Sequence, residues 1–329
     1  MFKKQLASSP GNVPVSLVTG ASGFLGSHLV DRLLLKGHRV LGLDNLSTGN
    51  LENLGQALSN GRTFFFIQAD VAEDFSLPGT KLNYIWHLAS PASPVDYRSL
   101  NVETMLANSI GTKKMLDLAL QHQARFLLAS TSEAYGDPLI HPQPETYWGN
   151  VNPVGERSCY DESKRFAETL TFEYRRRYGL DTRIVRIFNT YGPRMQVNDG
   201  RAGPNFICQA LRGEPLTLYG SGSQTRSFIF VTDEIEGILR AMFYENTCGE
   251  VINIGNPQEC TILEFAGIIA RLCGVKCSLV YRPLPPDDPA RRCPDISKAR
   301  ALLGWQPRVP LERGLAMTIN YFRKKLNLQ

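Results

Sequence analysis

Short apolar runs at 15–19, 39–43, 63–68, 84–90, 125–130 and 183–188 alternate with stretches whose apolar residues recur at helical spacing, among them 27–36, 102–120 and 161–178. Such runs, separated by helical stretches, predict buried strands of a parallel sheet with helices on both faces. After 188 the text changes, with Gly and Pro clustered over 189–222 and a stiff proline-rich loop over 283–289. Thr261 and Glu264 form a capping box that opens a helix towards Cys273, and Gly274 is placed to close it. A last amphipathic helix is expected over 311–325. The pattern therefore predicts an α/β chain, a doubly wound parallel sheet followed by a smaller C-terminal α/β part.

The first run leads directly into Gly20-Ala21-Ser22-Gly23-Phe24-Leu25-Gly26 and then into a helix. Glycines there let a turn tighten and a pyrophosphate approach the backbone. The helix start near Gly23 offers unpaired amides and a positive dipole end. The second run ends in Asp44, eighteen residues beyond Gly26, where an acid that accepts from both adenosine ribose hydroxyls is expected. Its charge would repel a 2′-phosphate, so the order of strand, glycines, helix, strand and acid predicts NAD rather than NADP. Asp70 and Val71, after the third run, are placed to flank adenine, while Ser90, Thr131 and Glu133 follow the fourth and fifth. Ligands of a doubly wound sheet gather beyond the carboxyl ends of its strands, so these motifs converge on one crevice. The expected organisation is a polar tail over 1–14, an NAD-binding Rossmann domain over 15–188 to which the chain returns near 228–255, and a mainly substrate-binding domain over 189–329.

Two further motifs supply redox chemistry. Tyr160 and Lys164, four residues apart, fall on one face of a helix, one turn from each other. A free tyrosine titrates near about 10 and is a poor base at neutral pH, and a neighbouring ammonium is expected to favour its phenolate. Tyr160 would then take a hydroxyl proton while hydride leaves for a nicotinamide. Thr131-Ser132-Glu133 places a hydroxyl and a carboxyl beside that pair, where they bear on the chemistry after the oxidation.

Composition narrows the setting. The 329 residues include no run long enough to span a bilayer, and the polar opening stretch lacks the apolar core of a secretory signal. Seven cysteines make no metal spacing and no disulfide framework, so a reducing cytoplasm is expected. No metal is expected either, and His87, at a strand end, is read as a packed core residue. A net charge of +5, from 36 Lys and Arg against 31 Asp and Glu, favours a small anion over nucleic acid. Arg194, Arg201, Arg226, Arg291 and Arg292 lie in the loops of the second half, and arginine forks around one crevice would hold a diphosphate. Arg226, between two strand-like runs, is the favoured one.

Four longer stretches carry a resemblance: His87-Leu88-Ala89-Ser90-Pro91-Ala92-Ser93-Pro94, Ser130 to Glu133 before Tyr135-Gly136-Asp137-Pro138, Arg186 to Met195, and Tyr219 to Arg226. With them nearly the whole chain resembles the extended short-chain dehydrogenase/reductase family and, within it, the UDP-glucuronate decarboxylases. The resemblance implies Tyr160 and Lys164 as the catalytic pair, assisted by Thr131 and Glu133. It implies Tyr97, Asn189 and Arg226 against the UDP-sugar, and Gly20 to Gly26, Asp44, Asn45, Thr48, Asp70, Val71, Leu88 and Ser90 around NAD. The implied reaction oxidises UDP-glucuronate at carbon 4, releases carbon dioxide from the resulting β-keto acid, and re-reduces the ketone to UDP-xylose. One departure is Leu106, where many relatives carry a lysine before the asparagine equivalent to Asn108. A 4,6-dehydratase would be expected to carry an acid where this chain has Ser132; a UDP-glucuronate 4-epimerase is the alternative activity, and an inactive NAD-binding scaffold the alternative of another class. Apolar residues on the 102–120 and 161–178 helices, and the habit of relatives, imply a homodimer.

Overall fold

The computed structural model describes residues 13–328, so most of the expected polar tail lies outside the described residues. The first six strands of the seven-stranded main sheet are β1 (Val15–Thr19), β2 (Arg39–Asp44), β3 (Phe64–Gln68), β4 (Tyr84–His87), β5 (Arg125–Thr131) and β6 (Thr182–Ile187). Across the sheet they run β3, β2, β1, β4, β5, β6, followed by Val251–Ile254, and every neighbouring pair is parallel. The order reverses between β1 and β4. Helices leave to opposite faces there, opening the crevice in which such sheets bind ligands.

Alternation along the strands feeds two cores. Leu17, Leu41 and Leu43 pack on one face with Met115, Leu116 and Phe126. Val18 and Val40 pack on the other with Leu29, Val30 and Leu33 of the first helix, Phe24–Leu35. Both faces are dry, which explains why these runs are continuously apolar. Each fully buried Leu or Val contributes about 1.5–3 kcal/mol from burial.

The boundaries differ from the sequence pattern at two informative places. The run expected over 84–90 leaves the sheet after His87, because the Leu88 and Ala89 amides turn to the Thr19 hydroxyl, each at 3.2 Å. The helix expected over 102–120 is Asn101–Leu106 and Thr112–His122 joined by a π-helical turn, Ala107–Gly111. That turn carries Asn108, whose buried amide nitrogen lies 3.0 Å from both the Ser90 hydroxyl and the Thr104 carbonyl, and 3.1 Å from the Ser163 hydroxyl. An i→i+5 turn often marks a functional segment, and here it lets a polar residue tie the helix to the crevice wall.

In the second half, the capping box at Thr261 and Glu264 opens Ile262–Cys273, and Gly274 closes it in the left-handed conformation. Thr225–Ser227 pairs with Glu259–Thr261 on one side and Arg291–Arg292 on the other, which sets Arg226 opposite Arg292. The chain re-enters the main sheet at Val251–Ile254, beside β6. Among the described residues no helix is long and apolar enough to cross a membrane.

Candidate active site

A cavity of about 380 Å³ runs along the carboxyl ends of the strands. Its wall brings together Gly20, Gly23, Phe24, Leu25, Gly26, Asp44, Asn45, Thr48, Asp70, Val71, Leu88 and Ser90 with Thr131, Glu133, Tyr160 and Lys164. Asn189, Arg194, Arg201 and Arg292 complete it from the second half. Most of the residues singled out in the sequence therefore share one crevice.

The glycine turn is a cradle that side chains would fill. Gly20 has a φ of +68°, and a Cβ there would sit 2.9 Å from the Ala89 nitrogen; a Cβ on Gly26 would collide with the Gly20 carbonyl. Asp44 is fixed at the end of β2 by the Ser22 amide at 3.0 Å and the Leu46 amide at 2.8 Å. Asn45 donates to Asp70 at 2.7 Å, joining the two polar residues at the adenosine end. These features fit a dinucleotide, with a bare backbone for its pyrophosphate and a held carboxylate for its ribose.

At the other end, the helix Ser158–Tyr178 carries the redox pair. The Lys164 ammonium lies 5.8 Å from the Tyr160 ring centroid and donates to the Ala129 carbonyl at 2.9 Å. Burial pulls Lys164 down to about 7, with only the Glu168 carboxylate opposing it. Tyr160 is raised rather than lowered, by burial first and then by the Glu133 charge, while a hydrogen bond from Thr131 pulls the other way. Burial thus opposes the phenolate that Lys164 is placed to favour. Low dielectric penalises both charges, so in the chain by itself Tyr160 is a phenol.

The arginines expected to hold a diphosphate are paired with carboxylates. Glu133 meets Arg157 through Oε2 and Arg292 through Oε1 at 3.3 Å. Arg226 donates to Asp288 at 2.9 Å, and Asp288 also approaches Arg157 at 3.8 Å. Arg194 reaches Asp31 at 2.7 Å, and Arg201 is paired with Asp199. Burial disfavours the Glu133 charge, yet Arg157 and Arg292 outweigh it and hold the carboxyl below its usual range.

Arg226 and Tyr97, expected against substrate, lie behind the cavity wall in the ligand-free chain. Arg226 is turned into the Asp288 pair, where burial lowers its affinity for a proton against the pull of that carboxylate. Tyr97 is wholly buried and stacks on Tyr160, ring centroids 5.1 Å apart and planes 7° from parallel. It supports the phenol from behind. The residues missed in the sequence are Arg157 and Asp161: Arg157 clamps Glu133 from three residues before Tyr160, and Asp161 sits beside Glu133 within an already conspicuous motif. No local spacing signalled either, because their partners lie on distant segments.

The histidine and cysteine placements are mixed. His87 is a core residue, bonding the Thr19 hydroxyl at 2.8 Å and the Thr112 hydroxyl at 3.1 Å. His141, Glu259 and Cys293 come together with ligand atoms within 4.8 Å of one another, although no sequence spacing suggested it. Glu259 there already bonds His141 at 2.8 Å and Thr225 at 2.6 Å.

Comparison with known proteins agrees with this geometry. Residues 16–255 match the NAD dependent epimerase/dehydratase family. The chain is 51% identical over 313 residues to UDP-glucuronic acid decarboxylase 3 of Arabidopsis thaliana, covering 95% of this chain and 90% of the relative. It is 50% identical over 313 residues to UDP-glucuronic acid decarboxylase 1 of Xenopus tropicalis, covering 95% and 73%. Among solved structures it resembles the UDP-glucuronic acid 4-epimerase of Bacillus cereus in complex with UDP-glucuronic acid and NAD, with a TM-score of 0.84, 28% identity and coverage of 94% and 99%. The chain belongs to the NAD-dependent epimerase/dehydratase family and, within it, to the group of UDP-glucuronic acid decarboxylases.

Proposed function

We propose that the protein converts UDP-glucuronate to UDP-xylose and carbon dioxide through a 4-keto intermediate, with NAD held throughout the cycle. The observation that carries this reading is the juxtaposition of Tyr160 and Lys164 with an arginine-clamped Glu133 in one crevice. The two paired arginines leave that wall able to receive an anionic sugar.

When bound, oxidised NAD supplies a hydride acceptor for sugar carbon 4 and a cation that lowers the phenol's hold on its proton. Tyr160 takes the proton from the carbon 4 hydroxyl and later returns it, and Lys164 stabilises the phenolate in between. Thr131, at the cavity wall with Tyr160, donates to the enolate oxygen that forms as carbon dioxide leaves. The β-keto acid needs no metal for that step, since the ketone itself is the electron sink. Arg292 and Arg157 hold Glu133 ionised at the wall, and the remaining arginines exchange carboxylate partners for the diphosphate.

Two rivals make different demands. A dehydratase needs an acid where Ser132 stands. An epimerase needs the keto-sugar to turn over before reduction, and the relatives bearing the decarboxylase name are far closer in sequence than the epimerase is. Purified protein incubated with UDP-glucuronate, without added NAD and followed by NMR, should yield UDP-xylose. A UDP-galacturonate signal would overturn the assignment.

A cytoplasmic homodimer completes the proposal. Val102, Met105, Leu106 and Ile110, with Phe166 on the adjacent helix, are large apolar side chains left exposed, between 39% and 58%. Leu106, the departure from relatives, belongs to this outer face rather than to the cavity wall. A second copy covering it would remove that surface from water. Sedimentation giving only monomer at micromolar concentration would refute the dimer.

A further inference from the structure

Next to Arg226 and Arg292 in the chain pairing, but outside the crevice, three side chains of metal-ligating type meet. His141, Glu259 and Cys293 offer a ring nitrogen, a carboxylate oxygen and a thiol sulfur within 4.8 Å of one another, and none of the three lines the cavity. A tetrahedral site with bonds of about 2.0–2.3 Å sets its ligand atoms roughly 3–4 Å apart, so side-chain adjustment alone closes this cluster around one ion. Thiolate and imidazole select zinc-class ions over magnesium and calcium, which prefer oxygen shells.

We infer that His141, Glu259 and Cys293 bind one divalent zinc-class ion, which clamps together the strands that carry Arg226 and Arg292. Each ligand sits on a segment that other bonds already fix. Glu259 lies opposite Ser227, one residue from Arg226, in an antiparallel pair. Cys293 directly follows Arg292, which pairs with Arg226 in the same small sheet. His141 comes from 118 positions before Glu259, and its segment is anchored through Gln143. The wholly buried Gln143 donates its amide to the Cys293 carbonyl at 2.9 Å, and its side-chain oxygen accepts from the Cys293 amide at 2.8 Å. The backbone therefore places the donors before any ion arrives.

Without a cation these side chains are under-satisfied. His141 Nε2 donates to Glu259 at 2.8 Å, which leaves the buried Nδ1 as a lone pair with no partner. The thiol of Cys293, a residue only 4% exposed, makes long contacts to the Pro257 carbonyl at 3.4 Å and the Pro294 carbonyl at 4.0 Å. The Thr225 hydroxyl donates to Glu259 Oε1 at 2.6 Å and so orients the carboxylate, as the outer partners of metal ligands do. The His141 and Glu259 side chains are 22% and 21% exposed, which gives an ion a way in and lets water complete its fourth position. On binding, the Sγ–metal bond forms and the thiol proton passes to solvent, while the neutral imidazole binds through a lone pair. Nothing is oxidised or reduced. The ion touches neither sugar nor nicotinamide, and it acts by holding the small sheet together.

The clamp is independent of the decarboxylation, and its test needs no substrate. Full-length protein, treated with a chelator and titrated with Co²⁺, should develop a sulfur-to-cobalt charge-transfer band that saturates at one ion per chain and that Zn²⁺ removes by competition. Cys293→Ser should lose the band, and Thr225→Val should bind about tenfold more weakly, as loss of an outer partner does. Zn²⁺ should raise the urea midpoint of the wild type and leave that of Cys293→Ser unmoved. X-ray absorption of the zinc-loaded wild type should show one sulfur neighbour at about 2.3 Å with nitrogen or oxygen at about 2.0–2.2 Å. A wild type without saturable binding, a band that survives in Cys293→Ser, or a zinc shell with no sulfur or with several would overturn the site. The absorption spectrum decides the matter even if the variants do not fold.

Discussion

The two ends of the crevice are built on different principles. At the cofactor end recognition is made by backbone, a glycine turn, a helix start and one carboxylate held by two amides. At the sugar end it is made by charged side chains, Glu133, Arg157, Arg226, Asp288 and Arg292, each neutralising another before any ligand arrives. The first end is ready for its ligand, so retention of NAD costs little rearrangement. The second must exchange partners, which lets an anionic sugar enter and a product without its carboxylate leave. Preformed backbone favours permanence, and competing ion pairs favour turnover.

Substitutions at the two ends should therefore fail differently. Tyr160→Phe, at the junction, is expected to have the largest effect, lowering carbon dioxide release by about 10²-fold or more while NAD remains bound. Absorbance and mass spectrometry of the purified variant measure the retained cofactor, and near-normal turnover would remove Tyr160 from its role. Glu133→Gln should come next. It leaves Arg157 and Arg292 buried without their shared carboxylate and is expected to cost about 3 kcal/mol of stability, read from urea unfolding. An unfolding midpoint equal to the wild type would show that the arginines find other counter-ions. Asp44→Ala is the mildest, expected to relax discrimination against NADP by about tenfold, or ~1.4 kcal/mol, with the sugar end untouched. Unchanged preference in competitive binding would mean that another group reads the ribose.

The same contrast explains what the sequence could disclose. The cofactor end is legible because its parts are contiguous: seven residues of glycine turn, then an acid one strand later. The sheet is legible for a similar reason, since strands buried on both faces must be apolar throughout. The capping box at Thr261 and Glu264 needs only local spacing. The sugar end is not legible in this way. Glu133 and Arg292 lie 159 positions apart, and Arg226 and Asp288 lie 62 apart. The pairing of Thr225–Ser227 with Arg291–Arg292 sets Arg226 beside Arg292, a contact between distant segments that no local spacing reports. An arginine in a loop carries no mark of which carboxylate it meets before a ligand arrives, so the pairing of Arg226 with Asp288 could not be read from the sequence. The protonation of Tyr160 is not legible for an electrostatic reason. Spacing places Lys164 one turn away, but burial raises the phenol and lowers the amine together, and no pattern of letters reports burial at that depth.

The central claim is that a transient ketone at carbon 4 is what releases the neighbouring carboxylate. It is tested most directly by measuring carbon dioxide from UDP-glucuronate and from its 4-deoxy analogue, with the protein carrying its own NAD. The account predicts steady release from the first and none above background from the second. Equal release from both would contradict it, because the analogue has no hydroxyl from which a ketone can be made.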